Sequence, residues 1–239
     1  MMKQDFSCRS HQLEMMDGDA IGFEDFRKCL HDLEIVNVCT LAYRPTLHWL
    51  KRGLRGDKLR QPVSILDIGS GGGGMLRKIW KWARRSGHET YLTGVDVNPW
   101  SKQSAESVTP PDAPIQYETA DIFSFDADRH ADFIISALFT HNLTDNQVVN
   151  FLRWMDRHAT RGWFINDLHR HPLPFFFIRY ATRLLGAGPM VQHDGQISVA
   201  RAFTAADWRR LVAEAGISVE RIRINWFFPF RYCVAGQKA

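Results

Sequence analysis

The 239-residue sequence predicts an α/β fold, in which a mostly parallel sheet is covered by helices on both faces. From residue 63 onward, short apolar runs typical of buried strands alternate with amphipathic segments typical of helices. Near the end, two strand-like segments lie closer together than the dozen or so residues that a parallel crossover needs. We therefore expect a doubly wound sheet in which at least one C-terminal strand runs antiparallel.

The first sixty residues are predicted to form a helical lid, ahead of a main domain over residues 61–239. Residues 1–18 are expected to be frayed, whereas apolar residues between 22 and 54 recur at helical spacing. Pro45 disfavours helix at Arg44 and is expected to separate two helices. A polar linker is then predicted in the sequence RGLRGDKLRQP.

The main domain divides into strands and helices in a regular order. Strands are predicted over residues 63–68, 90–97, 115–122, 131–139, 162–168, 217–228 and 230–236. Helices are predicted over residues 75–87, 99–108, 144–159 and 204–216, with Thr144 or Asp145 capping the third and Thr204 the fourth. An apolar insertion over residues 172–202 separates the fifth strand from the last helix.

The glycine run in SILDIGSGGGGMLRKI, residues 64–79, marks a ligand site. A glycine loop lets a ligand approach the backbone, and in α/β sheets such ligands bind at the carboxyl ends of the strands. The run fits the dinucleotide pattern G-x-G-x-x-G through Gly69, Gly71 and Gly74. It also fits D-x-G-x-G-x-G through Asp67 and Gly73. The glycines alone therefore leave the ligand open.

Three acids at successive strand ends indicate which kind of ligand the glycine loop binds. Asp67 would repel a pyrophosphate and attract an ammonium or sulfonium group. Asp96 is placed to accept from ribose hydroxyls, which suits several adenosine ligands. Asp121 follows the third strand, where it could accept from an adenine amino group. Together they favour a positively charged adenosine ligand.

The segments LDIGSGGGG, GVDVNP, TADIFSF and DFIISALFTHNLTD resemble motifs I to IV of the class I S-adenosylmethionine-dependent methyltransferases. They most resemble the branch that includes the ubiquinone and menaquinone biosynthetic enzymes. The resemblance covers roughly residues 62–236. It implies a Rossmann-like fold whose last strand is antiparallel, with S-adenosylmethionine as cofactor and S-adenosylhomocysteine as product.

The same resemblance implies which residues bind the cofactor. The methionine part would contact the first motif, the ribose the second, the adenine the third, and the region near the methyl the end of strand four. In that order the predicted cofactor-binding residues are Asp67, Gly69, Ser70, Gly71 and Gly73; Asp96 and Val97; Asp121 and Ile122; and Ser136, Ala137 and Leu138.

Three histidines are candidates for catalysis, and no metal site is predicted. His141 follows strand four, where the resembling enzymes often carry histidine, and it could act as a base or shape the pocket. His169 and His171 close strand five in NDLHRHPL and are expected on the substrate side. Asn166 and Asp167 would suit a second metal position, but the first position lacks its acid.

An apolar methyl acceptor is predicted, such as a phenol, a quinol or a polyketide-like ring. Aromatic and aliphatic residues of the insertion, with residues 225–232 and the N-terminal helices, are expected to wall its pocket. Strand four is not followed by the paired prolines of enzymes that methylate exocyclic amines, which favours O-methylation or C-methylation. A protein or RNA methyltransferase and an NAD-dependent oxidoreductase are the alternatives.

Composition argues against several other classes of partner. The net charge of +4 is spread over scattered lysines and arginines, so no nucleic-acid partner is expected. No segment has the length and apolarity of a signal peptide or a membrane span, and a cytoplasmic location is expected. The four cysteines show no pairing pattern and predict no disulfide or zinc site.

Overall fold

The computed structural model describes residues 5–18, 21–55, 62–125 and 130–238. The helices are α1 (Phe23–Cys39), α2 (Arg44–Gly53), α3 (Gly74–Arg85), α4 (Pro99–Val108), α5 (Asp145–His158), α6 (Pro172–Leu184), α7 (Pro189–Arg201) and α8 (Ala205–Glu214). The strands are β1 (Val63–Ile68), β2 (Thr90–Asp96), β3 (Ile115–Thr119), β4 (Ala131–Ala137), β5 (Ala159–Leu168), β6 (Ile222–Phe227) and β7 (Arg231–Gln237).

One sheet of seven strands runs in the order β3-β2-β1-β4-β5-β7-β6. The first five strands are mutually parallel, and β7 pairs antiparallel with both β5 and β6. The predicted α/β class and antiparallel C-terminal strand are thereby confirmed. Because the strand order reverses between β1 and β4, a cleft opens at their carboxyl ends.

Helices cover both faces of the sheet, and α2 belongs to this core. Its Leu50 is fully buried, and Trp49 stacks on Phe164 of β5 with ring centroids 5.0 Å apart. The predicted lid is therefore divided between α2, which packs on the sheet, and α1, which contacts α4 and α7. The predicted boundary at residue 60 and most of the predicted linker lie outside the described residues.

The break between α1 and α2 falls earlier than predicted. Residues 40–43 form the turn, and Arg44 is the first residue of α2 rather than part of the break. Pro45 lies in the first turn of that helix. Backbone N–H groups there have no acceptor within the helix, so proline loses no hydrogen bond at this position. The prolines at the starts of α6 and α7 occupy the same kind of position.

Residues 5–18, named here the N-terminal segment, are not frayed as predicted. Arg9 donates to three backbone carbonyl oxygens, those of Arg201 (2.6 Å), Leu143 (2.8 Å) and His141 (3.0 Å), and its Nη1 lies 2.7 Å from Asp145. The guanidinium also stacks over a phenylalanine ring. The half-buried Arg9 thus helps to hold this segment, as do the Met15 and Met16 N–H groups, which donate to Asp194. No apolar periodicity in the sequence predicts these contacts. Within the described residues, no helix has the length and apolarity needed to cross a membrane.

Candidate active site

A cavity of about 570 Å³ lies at the carboxyl ends of the parallel strands. Its floor is the glycine loop and the segments that follow β2, β3 and β4, and its roof is α1 with part of α7. The N-terminal segment and the start of β7 complete the wall. A cavity of this size is typical of small-molecule sites.

The glycine loop packs tightly against its neighbours. Gly69 has φ of 71°, and a Cβ there would meet the Phe139 ring at 2.6 Å. Gly73 has φ of 73°, and a Cβ would overlap the Tyr117 hydroxyl. Gly73 is the residue before α3, so Gly74 starts the helix. Gly69, Gly71 and Gly73 of the D-x-G-x-G-x-G pattern all have positive φ, whereas Gly74 is helical.

Asp67 is a buried acid that lacks a full set of partners. It lies near the end of β1 and lines the cavity, and its Oδ1 has no hydrogen-bond partner among the described residues. Burial raises the pKa of Asp67 to about 8, and the nearby Asp96 carboxylate adds to the rise. A cationic ligand group beside it would pair the carboxylate and bring that pKa down.

Asp96 ties the glycine loop to β2. Its Oδ2 accepts from the backbone N–H of Gly71 at 2.8 Å, and its Oδ1 accepts from that of Asn98 at 3.0 Å. Burial raises the pKa of Asp96, and these hydrogen bonds oppose the rise. Each carboxylate oxygen can accept a second hydrogen bond, so ribose hydroxyls remain compatible with this geometry.

The third and fourth strand ends complete the predicted cofactor side. Val97, Asp121 and Ile122 all line the cavity, and Asp121 is exposed with its Oδ1 accepting from the Phe123 N–H at 3.0 Å. Ala137 and Leu138 line it as well, and Leu138 has φ of 58°, a conformation uncommon for a non-glycine residue.

Two predicted cofactor-binding residues lie behind the cavity wall instead of lining it. Ser136 donates from Oγ to the carbonyl oxygen of Ile68 at 2.9 Å and so joins β4 to β1. Gly73 packs against Tyr117, as described above. Both residues therefore pack behind the residues that line the cavity.

His141 is buried between two carboxylates. Its Nδ1 lies 2.8 Å from Asp167 Oδ1, and its Nε2 lies 3.4 Å from Glu14 Oε1. Burial alone would lower the pKa of His141, but Asp167 and Glu14 outweigh it and raise the pKa to about 10. The ring is therefore charged at neutral pH, with both nitrogens held by acids.

Asp167 and Asn166 are occupied by internal hydrogen bonds. Asp167 accepts from Thr140 Oγ1 at 2.5 Å and from the His141 and Leu168 backbone N–H groups, besides the His141 ring. Asn166 donates to the carbonyl oxygen of Ala42 at 2.8 Å. The sequence suggested a second metal position for this pair, but the pair instead anchors His141 and the turn before α2.

His169 and His171 lie outside the cavity lining. Their rings are 5.2 Å apart, and His169 also packs against Tyr232. His171 Nδ1 accepts from the Leu173 backbone N–H at 3.2 Å and so caps α6. Burial lowers the pKa of His169 to about 4, and the neighbouring His171 and Arg170 add to the effect. The structure gives these histidines packing and capping roles.

Of the segments predicted to wall the acceptor pocket, the N-terminal helix α1 and part of the insertion line the cavity. Helix α1 contributes Phe26, Leu30, Leu33 and Val36 to the apolar lining. Of the predicted apolar residues in α6, only Ile178 is in the lining, whereas Phe176, Phe177, Tyr180 and Leu184 are exposed. The aromatic residues of 225–232 likewise lie outside the lining.

Sequence reasoning missed three charged residues near the site. Glu14 and Arg231 both line the cavity and are buried, one near each end of the chain. Arg77 of α3 donates to the Gly72 carbonyl oxygen and pairs with Glu34 of α1 at 2.5 Å, joining the roof to the glycine loop. The only sequence signal for Arg77 was its place in the first turn of α3, just after the glycines.

Comparisons with known proteins agree with this geometry. Residues 65–162 match a family model described as a methyltransferase domain, whereas no curated protein matches the sequence significantly. The fold is similar to the plantazolicin methyltransferase BpumL in complex with SAH, with a TM-score of 0.66 and 16% identity over 89% of this chain and 95% of that one.

Two further solved structures share the fold. Human N-acetylserotonin methyltransferase in complex with SAM has a TM-score of 0.62 and 15% identity, covering 91% of this chain and 57% of that one. Magnesium protoporphyrin IX methyltransferase from Synechocystis PCC 6803 with bound SAH has a TM-score of 0.55 and 13% identity, covering 94% and 91%.

The residues present fit such a cofactor. An unpartnered buried carboxylate beside a close-packed glycine loop suits a ligand that carries an ammonium group, and acids follow at the next two strand ends. Residues 65–162 thus match a methyltransferase domain, and the chain shares the fold of solved methyltransferases that bind SAM or SAH.

Proposed function

We propose that this protein transfers the methyl group of S-adenosylmethionine to an oxygen of a small, largely apolar molecule. The observation that carries the proposal is the buried Asp67 carboxylate, whose Oδ1 lacks a partner at the end of β1. A pyrophosphate beside it would keep the group protonated and gain no ion pair, whereas the ammonium of the methionine part would lower its pKa and pair with the ionised carboxylate. This favours S-adenosylmethionine over NAD.

The cofactor would lie along the strand ends. Asp67 and the glycine loop would hold the methionine part, Asp96 the ribose, and Asp121 with Ile122 the adenine. When bound, S-adenosylmethionine supplies a methyl group on a positively charged sulfur, which keeps the bonding electron pair when the methyl leaves. The protein's own task is then to align the methyl acceptor and to take its hydroxyl proton.

Glu14 is the group that we assign to that proton. Its carboxylate lines the cavity and accepts from Ser198 Oγ at 2.7 Å. Burial would raise the pKa of Glu14, but His141 outweighs it and holds that pKa below the ordinary value. His141, already charged, would stabilise the carboxylate and fix its position rather than act as the base itself.

The pH dependence of the single-turnover rate distinguishes the two roles. A base role for Glu14 predicts a rate that stays level between pH 6 and 9, because its pKa lies lower. An unaided His141 base predicts a rate that climbs toward the His141 pKa of about 10. A Glu14→Gln variant should lose rate while keeping its affinity for S-adenosylhomocysteine.

The methyl acceptor is proposed to be a phenol, a quinol or a polyketide-like ring. The apolar lining from α1 and Ile178 supports an apolar body, and the names of the similar structures refer to plantazolicin, N-acetylserotonin and magnesium protoporphyrin IX. The likeness to the ubiquinone and menaquinone branch stays a prediction from sequence.

Two measurements test the proposal. Calorimetry with S-adenosylmethionine, S-adenosylhomocysteine and NAD should give binding for the first two, and binding of NAD alone would support the oxidoreductase alternative. Mass spectrometry with a cofactor bearing a deuterated methyl group then follows transfer to a panel of phenols and alkylresorcinols. Modification of RNA, protein or polar amines, with the phenols left untouched, would contradict the proposed acceptor.

A further inference from the structure

Arg231 is a buried cation without a matching acid. It begins β7 and contributes to the cavity wall. Its Nη2 donates to Thr40 Oγ1 at 3.4 Å, while Nε and Nη1 have no hydrogen-bond partner among the described residues. A guanidinium with so few of its N–H groups engaged is unusual in a protein interior.

Asp167 is the carboxylate whose charge raises the pKa of Arg231. This carboxylate already accepts hydrogen bonds from Thr140 and His141. Burial lowers the pKa of Arg231 to about 10, so the guanidinium is still charged at neutral pH. A buried charge of this kind is costly unless a partner supplies the opposite charge.

The cofactor is a poor candidate for that partner. In the sheet, β7 is three strands away from β1, which corresponds to a lateral separation of about 14 Å. The amino and carboxylate groups of a methionine tail share one carbon. A tail whose ammonium is at Asp67 therefore keeps its carboxylate near β1. Consistently, the pKa of Asp67 responds to burial and Asp96, with no contribution from Arg231.

We propose that Arg231 binds a carboxylate of the methyl acceptor, which is therefore an acid with an apolar body. The inference rests on the proposed function and specifies its substrate class. Arginine matches carboxylates in shape and in hydrogen-bonding capacity. The apolar residues of α1 face the rest of the same cavity.

The test uses three substitutions and a set of matched probes. Arg231→Gln removes the charge and Arg231→Lys keeps it, while Arg223→Gln makes the same change at an exposed position on the neighbouring strand β6. The probes are indole-3-acetate, 4-hydroxycinnamate and 1-naphthoate, each paired with its neutral methyl ester. Binding to enzyme saturated with S-adenosylhomocysteine is measured by ligand-observed NMR.

The expected result is a preference for acids that depends on Arg231. Wild type and Arg223→Gln should bind at least one acid about 10- to 100-fold more tightly than its ester. Arg231→Gln should lose that preference, and Arg231→Lys should keep part of it. Because the substitution removes a buried charge without an acid partner, Arg231→Gln should melt no lower than wild type.

Other outcomes overturn the inference. These are equal binding of acids and esters, a preference that persists in Arg231→Gln, or no acid binding at millimolar concentration. A tenfold loss of S-adenosylhomocysteine affinity in Arg231→Gln would instead assign the guanidinium to the cofactor. Failure of wild type to bind S-adenosylhomocysteine at all would be a failure of the proposed function, and it is measured first.

Discussion

The two ends of the cavity, which we assign to the cofactor and to the methyl acceptor, are built in different ways. At the cofactor end, the polar groups come from consecutive strand ends, first Asp67, then Asp96, then Asp121. At the acceptor end, Glu14, His141 and Arg231 come from segments far apart in the chain. Repeated β–α units therefore deliver the cofactor groups, while the acceptor groups depend on long-range contacts.

The charges at the two ends also differ in how they are satisfied. His141 is held by two acids within the protein, whereas Asp67 and Arg231 keep atoms without partners. Loss of one partner from a group of the first kind should destabilise the fold, and we propose that groups of the second kind pair with a ligand. We therefore expect some substitutions at the site to reduce mainly the stability of the protein and others to reduce mainly ligand binding.

The largest effect is expected for His141→Gln. Leaving Asp167 and Glu14 buried without their cation should reduce the free energy of unfolding by about 3–5 kcal/mol. Because the folded-state pKa of about 10 lies above the unfolded value near 6.5, this stabilisation is complete below pH 6.5 and is lost as the pH rises toward 10. Urea melts of both proteins at pH 6 and pH 10 should show the gap narrowing, and a constant gap would contradict the charged assignment.

Asp67→Ala should act on binding instead. Removing the carboxylate should weaken S-adenosylhomocysteine by about 2–4 kcal/mol, which is roughly 30- to 1,000-fold in Kd, because the ligand ammonium loses its counter-charge. Calorimetry measures the loss. Asp121→Ala is the matched control, since Asp121 is exposed and should lose far less. Equal losses in the two variants would remove the special role of Asp67.

Arg9→Ala tests whether the acceptor end is separable from the cofactor end. The change leaves carbonyl oxygens of Arg201, His141 and Leu143 without this donor, at about 2 kcal/mol of stability. Methyl transfer should fall while the Kd for S-adenosylhomocysteine stays within about twofold. The exposed Arg27→Ala, which breaks a surface ion pair with Glu24, should change neither by a measurable amount. A large loss of cofactor affinity in Arg9→Ala would mean that the two ends are coupled.

The smallest effect, and one of opposite sign, is expected for Asp67→Asn in the protein without ligand. The raised pKa means that the ionised carboxylate destabilises the fold progressively as the pH rises from about 4 to about 8. The amide should therefore stabilise the unliganded protein by about 1 kcal/mol at pH 8 and by almost nothing at pH 4. Thermal melts at the two pH values measure the gain, and a lower melting temperature at pH 8 would contradict it.

The sequence predicted the sheet well because strands and helices depend on local patterns. Apolar runs, glycines and capping residues act within a few positions, and Thr144 and Thr204 do cap α5 and α8. Asp67, Asp96 and Asp121 could be located because each lies at or next to a strand end. Ser136 was predicted from its place at the end of β4, but the local pattern does not show that its Oγ donates to the Ile68 carbonyl oxygen behind the lining.

The acceptor end was harder to predict for physical reasons. Glu14 reaches the cavity through contacts with His141 and Ser198, which lie more than 120 positions away in the sequence. Arg231 is a single charged residue in the aromatic segment 225–232, and no pattern around it predicts that its side chain lines the cavity. His169 and His171 follow strand five as expected. The alternation of residues along a strand does not predict, however, whether the residues after its end face the cavity or pack against α6.

The placement of Glu14 and Arg231 has a consequence for the way the enzyme is made. During synthesis the segment that matches the methyltransferase model, residues 65–162, leaves the ribosome well before Arg231. The nascent chain can thus pair β1 with β2 and β4 while β7 has yet to add to the sheet. The part of the cavity wall that contains Arg231 forms only once β7 has joined β5.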